Sequence, residues 1–356
     1  MKPDSSERLL QWYRRRRRDL PWRRGQAPYV VLVSEIMLQQ TRVETVIPYF
    51  ERFLETFPTI EHLAGATQDE VLARWSGLGY YRRARLLHAA AREIVARGRF
   101  PERASELIEL PGIGPYTAAA VASIAFGEAV AVVDGNVERV ASRMLALAGD
   151  PARGAAKAEV RTWACSMLDE CCPGDSNQAL MELGAVVCRP ATLDCEVCPL
   201  SDDCQGLAMG VAEQFPHRAQ RASTVLERRV VAIVENDGRF LLYRNPDDAV
   251  LLAGMWELPW VVRRGRLRRD WEAALSTTFG GRWTLGERVG EARHAITTRR
   301  IVLGIHRAQL EHEPSAVSEG PEAGWFSPGE IANVPTPSMV HKVLDRLGRA
   351  DQSVLH

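Results

Sequence analysis

The sequence predicts a mainly α-helical region of about 205 residues followed by a smaller α+β domain. Three observations predict it. Between residues 5 and 210 apolar side chains recur at three and four, as in Val71, Leu72 and Trp75 and in Leu86, Leu87, Ala90 and Ile94, which is the spacing of one helix face. Over 206–224 ("GLAMGVAEQFPHRAQRAST") that periodicity fades. Beyond it, "RRVVAIVENDGRFLLYR" sets two β-rich runs around Asn236-Asp237-Gly238, a hairpin signal. The expected boundaries are 1–205 for the helical region, 206–224 for a linker and 225–356 for the second domain.

Within the helical region, turn signals separate the helices at "FPT" (57–59), "SGLGYY" (76–81), "GRFPE" (98–102) and "PGIGP" (111–115). The last of these predicts two helices, Ser105–Leu110 and Pro115–Phe126, joined by a tight loop. In the second domain, strands are expected at "MWELPWVV" and "RRIVLGIHRAQL" and a helix over 270–278.

Bulk properties bound the function. The chain has 356 residues, 46% hydrophobic and 25% charged, with zero formal net charge. This is the composition of a globular protein. No apolar run is long enough for a membrane span, and "MKPDSSERLL" has too few apolar residues for a signal peptide. The expected location is the bacterial cytoplasm, at the nucleoid, as a monomer. Residues 1–100 hold 18 Lys and Arg against 11 Asp and Glu, and a local basic surplus suits phosphate. Only Lys2, Lys157 and Lys342 are lysines. The arginine run 14–18 follows a helical "SERLLQWY" and suits a solvated helix C-terminus. Within it Arg18 is the one placed to reach inward, being nearest Trp22.

All seven cysteines lie between 165 and 204. "CRPATLDCEVCPLSDDC" brings Cys188, Cys195, Cys198 and Cys204 into 17 residues, and four thiolates so close in sequence suit either zinc or an iron–sulfur cluster. The split pairs of a zinc ribbon are absent. Cys165, Cys171 and Cys172 fall outside this group and are expected to be packing residues.

In "PGIGP", Gly112 and Gly114 allow a close backbone approach, and the helix after them would aim its N–H groups at an anion such as a phosphate. A plain tight turn fits the glycines equally well. Glu35 lies in "VVLVSEIMLQQTRVETV", an apolar setting that raises a carboxyl pKa; a partly exposed or arginine-paired side chain is the alternative. Asp134, in "AVAVVDGNVERV", stands where a helix can begin, and by position alone it is a helix cap. Two carboxylates flanking a cleft can also cleave a glycosidic bond.

Together, "SEIMLQQTRVETVIPYFERF", "GLGYYRRARLLHAAA", "LPGIGPYTAAAVASIAFG", "DGNVERVASR" and the four cysteines resemble the endonuclease III superfamily of helix-hairpin-helix DNA glycosylases, and within it the MutY family of adenine glycosylases. The likeness spans about residue 8 to Cys204. The β-rich remainder resembles, more weakly, that family's Nudix-like lesion-recognition domain.

The resemblance implies a bilobal helical fold: a helix-hairpin-helix lobe over about 25–130 and a cluster lobe built from 1–24 and 131–205. It implies excision of adenine opposite 8-oxoguanine or guanine in double-stranded DNA, by a monofunctional hydrolysis in base excision repair. It implies one [4Fe–4S] cluster per subunit, on Cys188, Cys195, Cys198 and Cys204. By the same resemblance Glu35 is the acid that protonates adenine, Asp134 steadies the cationic sugar, and Tyr116 and Asn136 line that site. Gln40 and Tyr80 wedge into the duplex. Gln39, Thr41, Gly112 and Gly114 contact DNA, and Leu20, Trp22, Arg23 and Gln178 surround the extruded base.

Two departures stand out. In the C-terminal hairpin, "RHAITTRR" keeps His294 but places Ile296, Thr297 and Thr298 where many members carry Phe-Ser-His. Ile296 and Thr297 remain the expected lesion-side contacts. The Nudix-type glutamate cluster is replaced by "DWEAALSTTFG", which predicts a binding module and no Mg²⁺ hydrolase site. The lyase branch of the superfamily needs an amine nucleophile, and its position is filled by Tyr116. A non-catalytic iron–sulfur DNA binder would have no need of both Glu35 and Asp134.

Overall fold

The computed structural model describes residues 4–218, 224–249, 251–265, 267–296, 299–311 and 321–354. In chain order its helices are α1 (Ser5–Arg16), α2 (Pro28–Leu38), α3 (Val43–Thr56), α4 (Ile60–Gly65), α5 (Gln68–Trp75), α6 (Arg82–Ala96), α7 (Ala104–Leu107), α8 (Pro115–Phe126), α9 (Gly135–Met144), α10 (Gly154–Ser166), α11 (Pro173–Val186) and α12 (Gln205–Ala208). A mixed region follows with β1 (Val225–Ile233), β2 (Glu235–Asn236), β3 (Arg239–Arg244), β4 (Trp256–Glu257), β5 (Trp260–Val262), α13 (Arg268–Phe279), β6 (Arg282–Ile296), β7 (Arg299–Glu311), β8 (Ala323–Phe326), α14 (Pro328–Ile331) and α15 (Ser338–Val354). By their contacts the residues form two units. The first holds those up to 65 and from 86 to 218; the second holds 66–85 and those from 224 on.

The first unit is built around α8. Pro115 starts it where an N–H has no helical acceptor, and Gly127, at φ 71°, ends it in the left-handed region. Every residue from Thr117 to Ile124 is buried, so this helix is enclosed on all sides. It packs against α2, α7 and α11. A separate apolar cluster joins Leu9 and Tyr13 of α1 to Val137 and Val140 of α9, Leu180 and Leu183 of α11, and Leu200 beside the cysteines. Both ends of the helical region therefore share one core.

Residues 66–85 group with the second unit through specific polar ties. Ser76 Oγ and Tyr81 Oη donate to the Thr336 carbonyl at 2.6 and 3.3 Å, and Arg244 pairs with Asp69 at 3.0 Å. The aperiodic stretch after 206 is partly ordered, because Arg143 Nε donates to the carbonyls of Ala212 and Phe215, each at 3.1 Å.

In the second unit a mixed sheet runs β5-β1-β7-β6, with β1 and β7 parallel. Helix α13 covers one face through Trp271 and Leu275, and α15 covers the other through Met339, Val340, Val343 and Leu347. A smaller sheet runs β2-β3-β4, with β8 on β3. The expected hairpin forms at Asp237 (φ 48°) and Gly238 (φ 71°), the two positive φ angles of a type I′ turn. Pro259 divides the expected single strand at 255–262 into β4 and β5, since it has no N–H for the ladder. Strand β6 was not legible in the sequence. Its pairing with β7 shifts register between Leu285 and Gly290, and a bulged strand loses simple alternation.

Candidate active site

Glu35 sits on α2, a helix in which every residue from Val31 to Met37 is buried. Its own side chain is 6% exposed. Tyr116, in the first turn of α8, donates its hydroxyl to Glu35 Oε2 at 2.5 Å, and that Tyr116 hydroxyl also lies 3.5 Å from Met181 Sδ of α11. Burial raises the Glu35 carboxyl to about 7; the Tyr116 hydrogen bond and Arg23 oppose the rise, and the nearby Asp134 charge adds to it. Burial, with both carboxylates close, holds the Tyr116 phenol well above its ordinary value.

Asp134 is the N-cap of α9, as its position suggested, and it faces Glu35 electrostatically as well. Its Oδ1 accepts from the backbone N–H of Asn136 (2.9 Å) and of Val137 (2.7 Å), and Oδ2 accepts from Asn136 Nδ2 at 2.7 Å. Burial raises this carboxyl, and these three donors and Arg139 favour its anion. Asn136 is held in turn by Arg139, whose Nη2 reaches Asn136 Oδ1 (2.9 Å) and the Gly184 carbonyl (2.7 Å). A Cβ at Gly184 would fall 2.6 Å from Asn136 Cβ, so α11 can lie this close to the start of α9 only through a glycine.

Arg23 and Arg18 converge on a residue that sequence reasoning missed. Glu182 of α11 is 1% exposed and accepts from Arg18 (2.8 Å, twice, and 3.1 Å from the backbone N–H) and from Arg23 (2.9 Å). Burial alone would raise its carboxyl, but the two guanidinium groups hold it at about 2. Leu20 and Trp22 are buried around the short turn Pro21–Arg23, with Trp22 edge-on to Phe50 at 5.3 Å. Gln178 is half-buried on α11 and donates to the Gly174 carbonyl at 3.4 Å.

The loops divide the remaining predicted residues. Gly112 has φ 74°, and a Cβ there would lie 2.5 Å from Leu86 Cβ. Its glycine is thus required inside the protein. Gly114 caps α8 at φ −91° and a Cβ there would meet nothing within 4 Å, which leaves an open approach to the helix N-terminus. Gln39 ends α2 and donates to Thr117 Oγ1 at 3.1 Å, and Thr41 Oγ1 donates to the Gln39 carbonyl at 3.4 Å. Between them exposed Gln40 adopts φ 57°. Tyr80, at φ 52°, belongs to the second unit, where Arg83 lies over both its ring (5.1 Å) and that of Trp75 (5.4 Å). Ile296 closes the β6–β7 hairpin opposite Arg299; Thr297 and Thr298 lie outside the described residues. His294 Nδ1 is 3.4 Å from Lys342 Nζ, and burial first, then the charges of Lys342 and Arg229, lowers its imidazole to about 4.

Cys188, Cys195, Cys198 and Cys204 line one small cavity with Arg143 and Leu183. Among the described residues no three Cys, His, Asp or Glu side chains converge closely enough to hold one metal ion. Arg143 Nη1 donates to Cys188 Sγ at 3.1 Å and to the Arg189 carbonyl at 2.8 Å. Cys165 and Cys171 are exposed, and so are not the packing residues expected of them.

With this geometry in view, the comparisons with known proteins decide the family. Residues 33–165 match the family described as HhH-GPD superfamily base excision DNA repair protein, and residues 229–346 match the NUDIX domain family. The adenine DNA glycosylase of Mus musculus is 34% identical over 396 residues, which cover 94% of this chain and 76% of that protein. The chain belongs to the adenine DNA glycosylase family. The Homo sapiens adenine DNA glycosylase agrees, at 33% identity over 94% of this chain and 72% of its own length. Among solved structures, a thermostable thymine-DNA glycosylase matches 57% of this chain and 95% of its own at 29% identity, with a TM-score of 0.52. The chain is itself a DNA glycosylase with a helix-hairpin-helix base-excision domain followed by a Nudix-like α/β domain.

Proposed function

We propose that the enzyme removes adenine paired with 8-oxoguanine or guanine and stops at the abasic site. The 2.5 Å Tyr116–Glu35 contact carries this reading. It puts a phenol, which cannot form a Schiff base, beside a carboxyl raised to about 7. Protonated Glu35 gives its proton to N7 of the extruded adenine, which weakens the bond from N9 to the sugar. Asp134, fixed by Asn136 and Val137, supplies the negative charge that steadies the cationic sugar. The sugar's charge adds to the favourable field of Arg139 on this buried carboxylate. Water then adds to the sugar, and the Glu35 carboxylate takes up the released proton. Gln40 and Tyr80 fill the gap left in the duplex, a step any base extrusion requires. Both hold left-handed backbones unusual for their residue types.

The four cysteines fit a [4Fe–4S] cluster. Four cysteine side chains lining one cavity are the donor set that such a cluster takes. Bound there, the cluster would tie the loop 188–204 to α9 and α11. The second unit serves as a lesion-binding module, with Ile296 and Thr297 at its hairpin.

The test compares duplexes holding adenine opposite 8-oxoguanine, adenine opposite guanine, and thymine glycol opposite adenine. The expected product is an abasic site from the two adenine duplexes, cut only after alkali. A borohydride-trapped protein–DNA crosslink would contradict the monofunctional mechanism.

A further inference from the structure

We infer that the second unit carries a binding site for a phosphate-ester anion, on the sheet face covered in part by α13. The site is a cavity of about 260 Å³, smaller than the roughly 300–1,000 Å³ of sites for drug-sized ligands. Its wall includes Arg228 from β1, Arg263 just after β5, Arg268 at the start of α13, and Arg288 from β6; Gly304 and His306 come from β7. Glu291 is the one carboxylate in the lining. It is already engaged by Arg288 at 3.0 Å and by Arg293 at 3.3 Å. Arg229, also in the lining, is held by Glu227 at 2.6 Å and lies 3.6 Å over the Trp260 ring.

Arg228, Arg263 and Arg268 make no ion pair among the described residues. Arg263 lies over the Trp271 ring at 5.1 Å, and Arg268 donates to the Leu285 carbonyl at 3.3 Å. These contacts orient two guanidinium groups without neutralising them. Like charges gathered this way repel, and an oxyanion removes the repulsion while taking paired N–H donors. His306 is 5% exposed, and its Nδ1 has no hydrogen-bond partner. A buried ring nitrogen without a partner is costly, and here it belongs to a residue of the same cavity wall. Gly304 leaves room for a side chain in this wall: a Cβ there would lie 3.6 Å from the Arg229 carbonyl and 4.0 Å from Arg288 Nε and His306 Nε2, all ordinary contacts.

The anion can come from a duplex backbone or from a free phosphate ester, and one experiment separates them. Inorganic pyrophosphate is titrated calorimetrically into the full chain, into Arg263→Ala/Arg268→Ala, and into Gly304→Val, which keeps every arginine and fills the cavity floor. Saturable binding at one site is expected for the parent, weakened at least about tenfold in both variants. Duplex binding is then measured against salt. If a backbone phosphate fills the site, the arginine variant loses duplex affinity and its log–log salt slope falls by about one or two. If a free ester fills it, the duplex slope is unchanged and only pyrophosphate binding is lost. Equal pyrophosphate binding by parent and variants, or none by either together with an unchanged slope, overturns the site. Neither arm depends on adenine excision.

Discussion

Tyr116 Oη and Glu35 Oε2 lie 2.5 Å apart across the packed pair α8 and α2. The contact bears on the protonation of a buried carboxyl that burial raises to about 7. Tyr116 favours the Glu35 anion, and burial opposes it more strongly. The following expectations turn on that balance and on what holds Asp134.

In the proposed mechanism the protonated form of Glu35 is the acid, and burial raises its carboxyl to about 7. Single-turnover excision is therefore fastest below that pH and falls about tenfold per unit above it. A pH–rate profile on a fixed duplex checks this. A rate that climbs from pH 6 to 8 would assign the acid to another group.

Tyr116→Phe removes a donor to the carboxylate. The Glu35 carboxyl then titrates higher, so the falling limb of the profile moves to higher pH. The rate on the plateau is expected to drop about 10- to 100-fold, the worth of one charged hydrogen bond. A lower plateau with an unmoved limb would mean that Tyr116 only packs.

Glu35 also makes stability depend on pH. Its folded pKa lies above the ordinary carboxyl value, so the folded state holds its proton longer and stability falls as pH rises from about 4.5 to 7. Glu35→Gln removes that loss. Thermal melts of parent and variant should coincide near pH 4 and diverge at pH 8, the variant melting higher.

Two glycines separate packing from binding. Gly184→Ala drives a Cβ into Asn136, with an expected cost of about 1–3 kcal/mol and slower excision through displacement of Asp134. Gly114→Ala meets nothing in the protein. Its melting temperature should match the parent's, while duplex affinity falls. Denaturation and anisotropy measurements distinguish the two patterns.

If Cys188, Cys195, Cys198 and Cys204 hold the cluster, purified protein contains about four irons and about four acid-labile sulfides per chain. Cys198→Ser should lower the iron content. One zinc per chain with no iron would exclude the cluster.

The sequence made the local parts of this site readable. Pro115 and Gly127 bound α8, Asp134 announces a helix start, and an apolar run around Glu35 forecasts its raised pKa; each signal lies within a turn of its residue. What it concealed depends on distant approach. Glu182 meets Arg18 across 164 residues of chain, and Gly184 matters only because α9 lies against it. Nothing local marks Arg139 and Arg143, yet from inside they hold Asn136 and the cysteine loop. Gly112 and Gly114 read alike in "PGIGP", and only packing shows that Leu86 requires the first while the second faces open space.

The most direct test is single-turnover excision by the parent and Glu35→Gln on a duplex with adenine opposite 8-oxoguanine. Parent protein should release adenine, and the variant, still folded, should be slower by about 10² to 10⁴. Excision by Glu35→Gln at the parent rate would contradict the assignment of Glu35 as the acid.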